Sequence, residues 1–100
     1  MQKSLLTLFF SLLVLMPLSA QKKSASGKEP LFGSKQASYQ IASNELKGAC
    51  FYLVCGHGGP DPGAIGIYQG RQLHEDEYAY DIVLRLGREL LMRGAKVHFI

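Results

Sequence analysis

The second half of the chain carries three patterns of apolar and polar positions. Residues 49–55 read ACFYLVC, a continuous apolar run that predicts a strand covered on both faces, as in a parallel sheet. Residues 75–93 show apolar positions at helical spacing, which predict one apolar helix face, and Gly94 follows as a stop signal. Residues 95–100 alternate and predict a second strand. The apolar helix positions are Ala79, Ile82, Val83, Leu86 and Leu90.

The order strand, glycine-rich loop, helix, strand predicts a βαβ unit. We therefore expect an α/β fold with a parallel sheet. The loop over residues 56–74 contains six glycines and two prolines, and at that density of breakers we expect no regular element within it. The strand that starts at residue 95 is still in progress at Ile100, so we expect the sheet to be incomplete in this chain and the chain to be a fragment.

The first half of the chain divides into two segments of different composition. Residues 5–18 read LLTLFFSLLVLMPL after a single Lys3, which predicts a signal peptide over residues 1–20. The alternatives are an N-terminal anchor helix or a buried helix. Residues 21–48 are polar and rich in Lys, Ser, Ala and Gln. They predict a flexible linker with a short extended piece at residues 38–42.

Charge and cysteine content narrow the functional classes. The net charge is +3 and the sequence pI is about 9.0, but the basic residues are scattered and do not alternate with aromatics. Nucleic acid is therefore not expected to be a partner. Cys50 and Cys55 are five steps apart, roughly 16 Å in an extended strand, so they are not expected to bond to each other. Both are interpreted as small buried hydrophobic residues.

The loop holds the candidate chemistry. His57 stands between glycines, two residues after the predicted strand, at the sheet edge where α/β folds bind ligands. Glu75 opens the helix and can return a carboxylate toward His57. One His and one Glu are a start for a zinc site with an open position for water. The competing interpretation is that Glu75, Asp76 and Glu77 only complement the helix dipole. Asp61 and the glycines are expected to shape the turns.

The run GHGGPDPGAIG, followed by a Glu-led amphipathic helix ending in RGAKV, resembles the zinc-dependent N-acetylmuramoyl-L-alanine amidases. The resemblance covers residues 50–100. It implies that His57 and Glu75 are two zinc ligands, and that residues 49–100 are the N-terminal portion of an amidase-type α/β domain. It also implies hydrolysis of the amide bond between N-acetylmuramic acid and L-alanine in peptidoglycan. The predicted signal peptide agrees with a substrate in the periplasm or cell envelope, with no membrane span left after its removal.

The sequence departs from the family in several places. Val54-Cys55 replaces an Asp-Pro pair, and Ala79 stands where asparagine is frequent. The third ligand, a second histidine, and the catalytic glutamate are expected beyond Ile100, so no catalytic residue is assigned within this chain. His74 and His98 do not match the second histidine by position. His74 is expected to be solvated and His98 to be structural.

Three other functions stay open at this point. The first is a noncatalytic wall-binding module on a relic amidase fold, and the second is a different zinc peptidase of the envelope. A loop that cradles an anion is the third, but the nucleotide-binding motifs fail, since no Gly-Lys-Ser/Thr follows the loop. A protein activator and the oligomeric state are left undetermined.

Overall fold

The computed structural model describes residues 24–100, and the signal peptide predicted over residues 1–20 lies outside them. The described part is a mixed α/β arrangement with one α-helix and three two-stranded sheets. Its elements in chain order are β1 (Ser26–Lys28), a 3-10 helix (Pro30–Phe32), β2 (Ser38–Gln40), β3 (Cys50–Leu53), β4 (Ile65–Tyr68), β5 (Arg71–His74), α1 (Glu75–Met92) and β6 (Lys96–Phe99). Among residues 24–100, no helix has the length and apolar character needed to cross a membrane.

The two strands predicted on either side of the helix pair in parallel. β3 and β6 are in register from Cys50 opposite Lys96 to Leu53 opposite Phe99. Backbone bonds extend the pairing at both ends, where the Lys96 amide donates to Ala49 and the Ile100 amide donates to Leu53, each over 2.9 Å. The prediction of a βαβ unit with a parallel sheet is therefore confirmed for β3, α1 and β6.

The prediction that both faces of β3 are covered is wrong for the described residues. Leu53 is half-buried, but Tyr52 and Val54 on the opposite face are 67% and 63% exposed. Cys50 shares this exposed face and Cys55 is half-buried, so the prediction that both cysteines are buried is wrong. Helix α1 packs on one side of the β3–β6 pair, and no described element covers the other. Both cysteines are free, as their spacing predicted.

Helix α1 follows the predicted bounds closely, but its packed face is shifted. The helix begins directly after β5, carries three acidic residues in its first turn and ends at Met92. Gly87 is its buried residue and lies against the side chains of Phe99 and Leu53. Ile82 and Leu86 are 62% and 46% exposed, so part of the predicted apolar face does not pack. The absence of a side chain at Gly87 lets the helix approach the sheet there.

Contrary to the sequence prediction, the loop between β3 and α1 contains a β-hairpin. β4 and β5 pair antiparallel from Ile65 opposite His74 to Tyr68 opposite Arg71. The turn residues Gln69 and Gly70 both have positive φ, 48° and 73°, as a type I′ two-residue turn requires. The error arose because glycines were counted as breakers, although a glycine at this turn position favours a hairpin.

The segment predicted as a flexible linker also forms regular structure from residue 24 onward. β1 and β2 pair antiparallel, and the extended piece predicted at residues 38–42 corresponds to β2. Arg88 of α1 donates to the backbone carbonyls of Gln36 and Ser38, and its guanidinium lies 5.6 Å from the centre of the Phe32 ring. The linker prediction failed because these contacts come from Arg88, which is 52 and 50 residues away in sequence from Gln36 and Ser38, and local composition does not reveal them.

Candidate metal centre

A tight turn holds His57 just beyond the carboxyl end of β3. The Gly58 amide donates to the Asp61 carbonyl over 2.8 Å, and the Asp61 amide donates back to Gly58 over 3.1 Å. This reciprocal bridge closes the chain around Gly59-Pro60. His57 directly precedes this bridge, so the turn fixes the chain on its C-terminal side.

Asp61 contacts the imidazole of His57. One carboxylate oxygen, Oδ2, lies 2.8 Å from Nδ1 of His57, while Oδ1 accepts the Gly63 amide over 3.0 Å. The hydrogen bond to Asp61 raises the pKa of His57, and the negative charges of Asp61 and Glu75 add to this. The same hydrogen bond, with that from Gly63, lowers the pKa of Asp61. The pair therefore favours a charged carboxylate beside the ring.

Glu75 approaches the opposite nitrogen of the same ring. Its Oε2 atom lies 3.6 Å from Nε2 of His57 and accepts the Ala64 amide over 2.8 Å. The first turn of α1 is also bound to the loop through its backbone, since the Glu75 amide donates to the Ala64 carbonyl over 3.0 Å and the Asp76 amide to Pro62 over 3.1 Å. Of the three acidic residues that open the helix, Glu75 is the one whose carboxylate meets His57 within the described structure.

The distance between these two side chains suits a shared metal ion. Bonds of about 2.0–2.2 Å in tetrahedral geometry place two zinc ligands roughly 3.3–3.5 Å apart. The observed 3.6 Å between His57 Nε2 and Glu75 Oε2 needs little adjustment. The space is also constrained by Gly63, where an added Cβ would lie 2.6 Å from His57 Cδ2 and 2.7 Å from Glu75 Oε2. The donor set, one imidazole nitrogen and one carboxylate oxygen, is typical of zinc.

The structure thus brings the two predicted ligands, His57 and Glu75, together, but it adds no third one. Over residues 24–100 there is no group of three or more His, Cys, Asp or Glu side chains arranged to hold a metal. His74 Nε2 lies 3.3 Å from Gln72 Oε1 within β5. The ring of His98 stacks on Tyr52 at 4.8 Å, in agreement with its structural interpretation.

The contact of Asp61 with His57 was missed at the sequence level. Asp61 does shape the turn, as predicted, through its bond to the Gly63 amide. Its second role depends on the turn closing over four residues, so that position i+4 returns to the ring of position i. The sequence signal for this contact was a histidine and an aspartate four residues apart, with Gly59-Pro60 between them.

No family model, curated protein or solved structure matches this chain. The amidase resemblance therefore rests on the loop and helix residues themselves.

Proposed function

We propose that this chain supplies two zinc ligands, His57 and Glu75, to an N-acetylmuramoyl-L-alanine amidase of the cell envelope. The observation that carries the proposal is the 3.6 Å separation of His57 Nε2 and Glu75 Oε2, two residues eighteen positions apart. The GHGGPDPGAIG run supports the family, and the parallel β3–β6 pair supports an amidase-type α/β domain over residues 49–100. The apolar run of residues 5–18 supports export to the periplasm or envelope.

In this proposal residues 24–100 bind zinc and orient its two ligands, and none of them transfers a proton to the substrate. Asp61 holds the His57 ring, and the Ala64 amide holds the Glu75 carboxylate. When bound, zinc supplies Lewis-acid polarisation of an amide carbonyl and activation of a water molecule. The third ligand, a histidine, and the general-base glutamate belong outside residues 24–100. The substrate is peptidoglycan, cut between its N-acetylmuramic acid and L-alanine.

A zinc titration of the full chain tests the site itself. We expect His57→Ala and Glu75→Gln each to abolish stoichiometric zinc binding measured by calorimetry. His98→Ala and Glu77→Gln are the matched controls, since they remove the same chemical groups outside the contact, and we expect them to bind as the wild type does. Equal binding by all five proteins would refute the metal site.

Product analysis separates the candidate functions. Incubation of purified peptidoglycan with a protein that contains residues 24–100 together with the proposed third ligand and general base is expected to release stem peptides with free L-alanine amino ends. Chelation is expected to stop the release. Cuts within the stem peptide would contradict the amidase and identify another zinc peptidase. The same incubation also tests the other candidate function, a noncatalytic wall-binding module. Wall binding without any cleavage would identify that module.

A further inference from the structure

We infer that Asp61 is a positioning residue that fixes the tautomer and orientation of His57, so that the lone pair of Nε2 faces Glu75. Two carboxylates lie at opposite nitrogens of the His57 ring. Asp61 lies at Nδ1, 2.8 Å away, and Glu75 lies at Nε2, 3.6 Å away. In a neutral imidazole one nitrogen donates and the other accepts. A carboxylate at Nδ1 requires the proton to be there, which leaves Nε2 free to act as a ligand.

Asp61 is exposed, but both its carboxylate and its backbone are hydrogen-bonded within the loop. Its Oδ1 accepts the Gly63 amide over 3.0 Å, and its backbone makes both bonds of the bridge to Gly58. The oxygen that faces His57 is therefore fixed relative to the loop. A histidine that binds metal through one nitrogen commonly donates its other N–H to a carboxylate, which orients the ring and raises its basicity as a ligand.

Asp61 is not itself one of the proposed zinc ligands. Since its carboxylate lies on the Nδ1 side of the ring, it does not face the space between Nε2 and Glu75. Glu75 is oriented by a different donor, the Ala64 amide. Each of the two proposed ligands thus has its own hydrogen-bond partner, and Asp61 serves His57 alone. The role of Asp61 toward zinc rests on the proposed function, whereas its effect on the tautomer does not.

Nitrogen-15 NMR of the metal-free full chain tests the tautomer directly, at a pH where titration shows the ring to be neutral. We expect wild-type His57 to carry its proton on Nδ1. In Asp61→Asn, the single amide oxygen can accept from Gly63 while the NH₂ group faces the ring, so we expect the proton to move to Nε2. Asp61→Ala is expected to give a mixture. Asp81→Asn removes a carboxylate that pairs with Arg85 instead, and we expect it to leave the wild-type tautomer.

Zinc titration of the same variants provides the second measurement. We expect Asp61→Asn and Asp61→Ala to lose on the order of 10–100-fold in affinity, while Asp81→Asn loses none. A wild-type tautomer in both Asp61 variants would overturn the inference, as would unchanged zinc affinity. Failure of the wild-type chain to bind zinc would refute the proposed function instead, and the NMR result would still decide whether Asp61 sets the tautomer. Asp61→Asn keeps the shape of the side chain, which guards against loss of the fold.

Discussion

Gly63 offers a sharp test of the proposed metal centre, because a single methyl group placed there would press on both ligands. An alanine Cβ at this position would lie 2.6 Å from His57 Cδ2 and 2.7 Å from Glu75 Oε2. Carbon atoms in contact prefer separations of about 3.5–4.0 Å. In Gly63→Ala the ring, the carboxylate or the backbone must therefore move by roughly 1 Å.

A displacement of this size matters for two ligands that are 3.6 Å apart. Zinc bonds vary by only about 0.2 Å around their preferred lengths, so a shift of roughly 1 Å in either ligand weakens joint binding. We expect zinc affinity to fall by on the order of 10–100-fold. The substitution also costs backbone strain, because Gly63 has φ +68° and an L-residue there loses about 1–2 kcal/mol.

Gly59→Ala is the control that separates these two effects. Gly59 lies in the same loop and has φ +58°, but a Cβ there meets nothing within 4 Å. Both variants therefore carry similar backbone strain, and only Gly63→Ala carries the clash. Urea unfolding is expected to show comparable losses of stability from strain, while calorimetry shows a loss of zinc affinity in Gly63→Ala alone. Equal zinc affinities in the two variants would refute the assignment of His57 and Glu75 as joint ligands.

Three further predictions concern the charge of the site and the packing of the helix. Asp61→Ala should lower the pKa of His57 in an NMR titration, because Asp61 is the main cause of its elevation. The pKa of His57 is raised above 6.5 and that of Asp61 is lowered below 3.8, so the ion pair stabilises the wild type fully between these two pH values. The contribution is lost as the pH rises through the folded pKa of His57 or falls through that of Asp61. An unchanged pKa of His57 in Asp61→Ala would contradict the contact. Arg88→Ala should expose residues 24–44 to limited proteolysis and cost about 1–2 kcal/mol, whereas Arg85→Ala, which breaks an exposed pair, should cost at most about 1 kcal/mol. Gly87→Ala should lower the free energy of unfolding by up to about 2 kcal/mol, since overpacking against β6 outweighs the gain of about 1 kcal/mol in helix propensity; a more stable variant would refute the close approach.

The elements that could be predicted are those whose signals are local. The continuous apolar run of β3 and the periodicity, acidic start and glycine stop of α1 lie within single segments, and both elements were placed within a few residues. The parallel pairing of β3 with β6 followed from the order of these elements. The juxtaposition of His57 and Glu75 was predicted for a related reason, since a loop and the helix that follows it meet at one sheet edge.

The features that were missed depend on partners distant in sequence or on backbone conformation. Arg88 of α1 binds the segment that contains β1 and β2, and the sequence of residues 21–48 carries no signal for this contact. The helix packs on the sheet at Gly87 and leaves Ile82 and Leu86 exposed, which apolar periodicity does not show. The turn at Gln69-Gly70 depends on two positive φ angles, and only the glycine was visible as a signal.

The β4–β5 hairpin has a consequence for the entropy of assembling the site. His57 and Glu75 are separated by eighteen steps along the chain, but the pairing of Ile65 with His74 bypasses nine of these. The segment that must still be closed to bring the imidazole to the carboxylate is thus about half as long. Each halving of a flexible loop saves about 0.6 kcal/mol of closure entropy. The hairpin therefore shortens the flexible segment between the two ligands. A longer turn between β4 and β5 would leave this saving in closure entropy unchanged.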